Sequence, residues 1–382
     1  MQRKEKGFPT VGILGGGQLG RMLALAFAKW DGDLLVLDRR GCPAEGVACE
    51  LVEGDFSCEE DVLRIGRRVD VLTIEIEQVH IGALRQLVAE GVQVHPRPEL
   101  LEVIADKGLQ KQFFRSAGFP TASFELYESA EAIREAVRAG RLSLPFVQKA
   151  RKGGYDGRGV LVVREEADLK RLLPLPSVVE DEVEIALELA VIAARNPSGE
   201  LRTYEPVEMY FHEGVNLLDY LIAPAGVSDL HLAEAEELAA DLISAMDLCG
   251  LLAVEMFLTP GGDLLINEVA PRPHNSGHHT IEAAPCSQFE QHLRAILDLP
   301  LGDTRLHSPA LMMNLLGPQG FRGPLPRQYY ELLFSLPDVH VHLYGKKESR
   351  PFRKMGHLCL LAPSREELMR KMGEVVGMGN GE

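Results

Sequence analysis

The chain has 382 residues, 46% hydrophobic and 25% charged. This balance excludes a disordered, collagen-like or coiled-coil protein, and at roughly 100–200 residues per domain it predicts two or three globular domains. Forty lysines and arginines against 56 aspartates and glutamates leave a formal charge of −16, which disfavours nucleic acid or an acidic membrane as partner, so an anionic substrate must be met by a local basic cluster.

Six scattered cysteines with no Cys-x-x-Cys pair predict reduced thiols. A charged N-terminus and the lack of an apolar run of about 18 residues predict a cytoplasmic protein.

Thr10–Leu14 is an apolar strand that runs into Gly15-Gly16-Gly17-Gln18-Leu19-Gly20, and Arg21–Trp30 reads as a helix. Strands at Leu34–Asp38 and Val69–Glu75 follow, so the first domain, residues 1–104, is predicted to be α/β with a Rossmann-like parallel sheet covered on both faces. A helix at Asp106–Ala117 carries Lys107 and Lys111 and opens a second domain, 105–300. Within it, strands Pro145–Lys149 and Gly159–Val163 flank a turn with four glycines, and strands at Ser177–Glu180 and Glu184–Ala193 come next. An amphipathic helix at Glu234–Met246 leads into strands Leu252–Leu258 and Asp263–Asn267, joined at Pro260-Gly261-Gly262. A small α+β C-terminal domain, 301–382, contains apolar runs at Ala310–Leu316, His340–Tyr344 and His357–Leu361.

Four features carry chemistry. The loop Gly15, Gly17, Gly20 has dinucleotide-binding spacing, and Asp38 lies 18 residues past its end, where a ribose-binding acid would sit; tight helix packing alone explains the same glycines. Gly153–Gly159 permits close backbone approach to a phosphate, with Lys149 and Arg158 as counter-charge, yet it is no P-loop, because Gly-Lys-Ser/Thr and a following helix are missing. A flexible hairpin tip is the plain alternative. Glu255 and Glu268 stand 13 residues apart across a tight turn, so they can face each other and hold Mg²⁺, with Asn267 as a neutral oxygen donor. Finally, the proline-constrained loop Ala270–Thr280 gathers Arg272, His274, Asn275, His278 and His279; with no cysteine nearby, its hard-oxygen neighbours favour Mg²⁺ over zinc.

In this order the features resemble the ATP-grasp superfamily. Gly15–Met22, Lys152–Gly159, Asn267–His278, Tyr344-Gly345-Lys346 and Arg350–His357 resemble the 5-(carboxyamino)imidazole ribonucleotide synthetases of purine biosynthesis, and the likeness covers almost the whole chain. The resemblance implies a central ATP-grasp fold, an ADP-forming ligase activity on 5-aminoimidazole ribonucleotide and bicarbonate, ATP and Mg²⁺ (or Mn²⁺) as cofactors, and a homodimer. It also implies site residues. Lys107 and Lys149 would hold phosphates beneath the loop Gly154, Tyr155, Asp156, Gly157, Arg158, Gly159. Glu180 and Val183 would meet adenine, Glu188 the ribose, and Glu255 and Glu268 the metal, with Asn267 alongside. Glu75, Asp156, Arg158, Arg272, His274, Asn275, Lys346, Arg353 and Lys354 would surround the ribonucleotide and bicarbonate, with Asp156 as proton acceptor. Met209-Tyr210, Val160 and Gln148 depart from the family pattern.

Overall fold

The computed structural model describes residues 7–154, 159–212, 216–335 and 338–379. It is α/β, with three sheets among those residues. The first is parallel. Its strands Glu50–Glu53, Leu34–Asp38, Val11–Leu14, Val71–Ile74 and Gln93–Val94 lie side by side in that order. Side chains alternate between two cores: Val11, Ile13 and Val36 pack with Leu23 and Phe27 on one face, while Leu14, Leu35 and Leu37 pack with Ile65 and Leu84 on the other. Two covered faces explain why these strands read as continuous apolar runs.

The first helix is Gln18–Phe27, three residues earlier than expected at its start. The glycine loop itself supplies the opening turn, because Gly17 and Gly20 N–H groups donate to the Glu75 carboxylate at 2.5 and 2.7 Å.

The second sheet is antiparallel and runs Phe124–Tyr127, Ser177–Asp181, Phe146–Ala150, Val160–Val163. Phe146, Val163 and Val179 bury one face beneath the helix Ala130–Arg138. The largest sheet has nine strands, eight of them in the order Leu264–Ala270, Gly250–Leu258, Leu187–Arg195, Val207–Phe211, Leu218–Ala223, Ala310–Leu316, Lys354–Leu361, Val339–Leu343, with Leu201–Thr203 added to Leu187–Arg195. Helix Asp229–Ala245 covers it through Ala235, Ala239, Leu242 and Ile243. The C-terminal strands continue the same ladder, since Tyr220 pairs with Met313 and Met313 with Leu358.

Strand 207–211 escapes pattern reading because a charged residue faces inward. Glu208 is 1% exposed, and its carboxylate accepts from Gly226 N–H, Tyr210 Oη–H and the Arg365 guanidinium. Gln148, the polar departure in an apolar position, is likewise satisfied: its amide donates to Leu173 O and Ser177 Oγ and accepts from Leu173 N–H.

His279 and His292 are buried and His95 is half-buried, and this loss of water pushes them from 6.5 down to about 4, about 3 and about 4. The unfolded chain therefore binds more protons between pH 6.5 and those values, so stability is lost as pH falls below about 6.5, at up to about 1.4 kcal/mol per pH unit for each histidine. Calorimetry should show a falling Tm from pH 7 to pH 5, and His292→Gln should flatten the slope.

Candidate active site

A cleft of about 1100 Å³ opens where the three sheets meet. Its cationic wall begins at Asp106, which caps the helix Lys107–Ser116 by accepting from Gly108 N–H at 2.8 Å and is held by Arg151 at 2.9 Å. The helix then presents Lys107 and Lys111, one turn apart and so on one face. Lys111 pairs with Glu180 Oε1 at 3.2 Å and Lys149 with Glu180 Oε2 at 2.8 Å; Lys149 also donates to Asn267 Oδ1 at 2.8 Å. Burial pushes Glu180 up, but the two ammonium groups outweigh it and hold the carboxylate below its usual range. Burial pushes Lys107 and Lys111 down to about 8, and Lys149 adds to the effect on both. The Glu180 carboxylate is thus engaged by lysines, while Val183 and Gly154 line the cleft.

The acidic wall is a hairpin. Glu255 and Glu268 are direct register partners, and the register shifts immediately after Glu255. Such irregularities re-aim side chains. Glu268 pairs with Lys107. Burial pushes Glu255 up against the opposing pull of Lys107 and Lys354. Glu188, two residues along its strand from the partner of Glu255, is pushed up to about 7 by burial and then by Glu255.

The loop after the hairpin forms the far end. Arg272 pairs with Glu77 at 2.8 Å, an acid supplied by the parallel-sheet domain. Burial pushes His274 down to about 3, so the imidazole is neutral at pH 7. Its Nδ1 accepts from Ser276 N–H at 3.4 Å, which assigns the proton to Nε2, 3.5 Å from Glu255 Oε1. The Asn275 amide is buried and lines the cleft with no hydrogen-bond partner among the described residues, at either Nδ2 or Oδ1. Buried amides are normally satisfied, so this one points to a ligand.

Of the C-terminal cluster, Lys354 lines the cleft. Lys346 donates to Gln18 Oε1 and Lys354 O, and Arg353 donates to Glu348 O; neither of these two lines the cleft itself. Tyr155, Asp156, Gly157 and Arg158 lie outside the described residues; Gly153 and Gly159, at either side of them, have φ of +74° and +81°, which glycine alone adopts without strain. Met209 and Phe211 supply an apolar patch of the wall, while Tyr210 stacks on Tyr220.

The dinucleotide reading of the first glycine loop does not hold. Glu75 occupies the helix N-terminus where a pyrophosphate would sit, and Asp38 accepts from Gly16 N–H at 2.7 Å rather than facing a ribose. A Cβ on Gly17 would stand 2.4 Å from Glu75 Oε1, so the glycines serve this contact. Sequence reasoning passed over Glu77 and saw Lys111 only as a helix residue. Spacing of four from Lys107 was the available signal for Lys111.

The whole arrangement has counterparts. Family models for a ribonucleotide synthetase preATP-grasp domain, an ATP-grasp domain and a phosphoribosylaminoimidazole carboxylase C-terminal domain match residues 8–105, 112–289 and 310–373. N5-carboxyaminoimidazole ribonucleotide synthase of Bacillus subtilis is 35% identical over 95% of this chain and 94% of its own. The chain belongs to the N5-carboxyaminoimidazole ribonucleotide synthase family of ATP-grasp ligases. It spans 66% of the length of a 38% identical relative, phosphoribosylaminoimidazole carboxylase of Saccharomyces cerevisiae. Among solved structures, the synthetase of Thermotoga maritima is 40% identical with a TM-score of 0.88, covering 97% of this chain and 98% of its own. The family member from Aspergillus clavatus, solved with ADP and 5-aminoimidazole ribonucleotide, is 33% identical with a TM-score of 0.88, over 97% and 98% of the two chains.

Removing Lys111 leaves Glu180 buried with one cation instead of two. Lys111→Met should cost about 3 kcal/mol in urea denaturation, by the usual penalty for a broken buried pair, and adding Glu180→Gln should return part of it.

Proposed function

We propose that this protein joins bicarbonate to 5-aminoimidazole ribonucleotide, with ATP cleaved to ADP and phosphate, giving N5-carboxyaminoimidazole ribonucleotide by way of carboxyphosphate. One observation carries the reading: a single cleft places the register pair Glu255 and Glu268 between the lysines Lys107 and Lys149 and the loop bearing Arg272, His274 and the unpartnered Asn275.

Lys107 and Lys149 lie where they can take the phosphates of ATP, with Val183 and Glu188 toward the base and sugar. Among the described residues no group of three or more His, Cys, Asp or Glu could hold a metal by itself. Two carboxylates fit a hard cation such as Mg²⁺ or Mn²⁺, which Glu255 and Glu268 would hold with the Asn267 oxygen alongside. Held by Glu255 and Glu268, that ion would neutralise charge developing on the transferred phosphoryl group.

Bicarbonate becomes electrophilic once its oxygen takes the phosphoryl group, and the chain's part is to place and stabilise anions. Arg272, braced by Glu77, offers the cationic side; neutral His274 offers an Nε2–H donor. The exocyclic amine attacks the activated carbon, phosphate leaves, and the amine proton goes to Asp156 in this reading. Glu75, Asn275 and Lys354 complete the ribonucleotide end, and Lys346 and Arg353 stand behind it, Lys346 donating to the Lys354 carbonyl. A cytoplasmic homodimer belongs to the same reading, supported by the family resemblance; among the described residues no helix is long and apolar enough to cross a membrane.

The deciding assay is ADP release with bicarbonate, with and without 5-aminoimidazole ribonucleotide; release that ignores the ribonucleotide overturns the proposal. ATP with Mg²⁺ should raise Tm by mass action and NAD should not. Glu268→Gln should keep the fold and lose turnover at least a hundredfold, about 2.7 kcal/mol of barrier. Lys354→Ala should raise KM for the ribonucleotide about tenfold, roughly the 1.4 kcal/mol of a charge-assisted hydrogen bond, with KM for ATP unchanged within about twofold.

A further inference from the structure

Gln288 lies in the first turn of the helix Gln288–Ile296 and is fully buried, yet its side chain reaches the back of the loop that bears His274 and Asn275. Oε1 accepts from His274 N–H at 2.9 Å, and Nε2 donates to His274 O at 2.7 Å. A backbone N–H can only donate and a carbonyl can only accept, so these two bonds fix which end of the amide is which. The second Nε2 proton then points at His278 Nδ1, 3.0 Å away. That nitrogen must carry a lone pair, which leaves the His278 proton on Nε2, and His278 lines the cleft.

The residue is anchored from behind. Gln288 N–H donates to Thr280 Oγ1 at 2.8 Å, and Thr280 Oγ1–H donates to Gly277 O at 2.6 Å, closing a ring of bonds around the loop. Room for the amide comes from Gly277, where a Cβ would stand 2.5 Å from Gln288 Oε1.

We propose that Gln288 is a positioning residue of this active site: one buried amide clamps the His274 backbone at two points and sets the tautomer of His278, so that the loop presents His274 and Asn275 to the ribonucleotide and bicarbonate in a single geometry. The inference rests on the function proposed above. Its logic is that of any buried support that holds a contact residue through bonds no ligand touches. Leucine would fill the space without the bonds, and glutamate, when ionised, would turn a donor toward His274 O into a second acceptor.

The test compares wild type with Gln288→Met and Gly277→Ala in ADP release. Both variants should lose at least tenfold in kcat/KM for 5-aminoimidazole ribonucleotide while KM for ATP stays within about twofold. Equal losses for both substrates, or none, overturn the clamp. Wild type whose ADP release ignores the ribonucleotide defeats the parent reading instead, and the two failures are thereby distinct. Should a variant not fold, ¹⁵N-histidine NMR of the wild-type protein decides: a proton on His278 Nε2 with a bare Nδ1 is expected, the signal being assigned by its loss in His278→Gln. A proton on Nδ1 overturns the proposal.

Discussion

Burying the Glu180 carboxylate between Lys111 and Lys149 is the constraint on which the cleft depends. A carboxylate that is 3% exposed is stable in ionised form only if its partners are fixed, and each ammonium is fixed in turn. Lys111 donates to Thr121 Oγ1 at 2.6 Å, and Lys149 to Asn267 Oδ1 at 2.8 Å. Both chains of bonds end on the strand Leu264–Ala270, where Thr121 donates to Ile266 O. Glu180 and Lys149 belong to the four-stranded sheet and Asn267 to the nine-stranded one, so one buried charge locks the two sheets at the point where both face the cleft.

The same economy of charge appears at the other walls. Lys107 pairs with Glu268, and Arg272 with Glu77. Lone cations or anions in so closed a cleft would carry a heavy desolvation penalty. A metal–nucleotide complex brings both signs, so it can take over the lysine and the carboxylate together; the pairing keeps the site charged without leaving any one charge isolated. Net charge of −16 is no obstacle to an anionic ligand when cations are gathered in this way.

What the sequence made legible was local. Continuous apolar strands around Gly15–Gly20 imply a parallel sheet, and a 13-residue separation across Pro260-Gly261-Gly262 places Glu255 opposite Glu268, as the register shows. What stayed hidden was non-local. Lys111 reaches Ile266 across 155 positions, and Glu77 meets Arg272 from another sheet altogether. Periodicity carries no information about such partners. Strand 207–211 was hidden for a different reason, because Glu208 faces the interior and breaks the alternation; its partner Arg365 lies 157 positions away.

The glycine loop shows why a spacing motif underdetermines chemistry. Three glycines before a helix expose N–H groups at a positive helix end, and that end attracts whichever carboxylate or phosphate the fold brings to it. Here the adjacent parallel strand, Val71–Ile74, leads directly into Glu75 beside the loop, so the anion is internal. Glu75 nevertheless lines the cleft, and burial pushes its carboxyl up despite the bonds from Gly20 and Gly17. The loop therefore contributes to the site through Glu75, which it holds in one orientation at the edge of the cleft. The same glycine spacing that elsewhere cradles a dinucleotide here supports a carboxylate, and the difference requires only an acid at the end of a neighbouring strand.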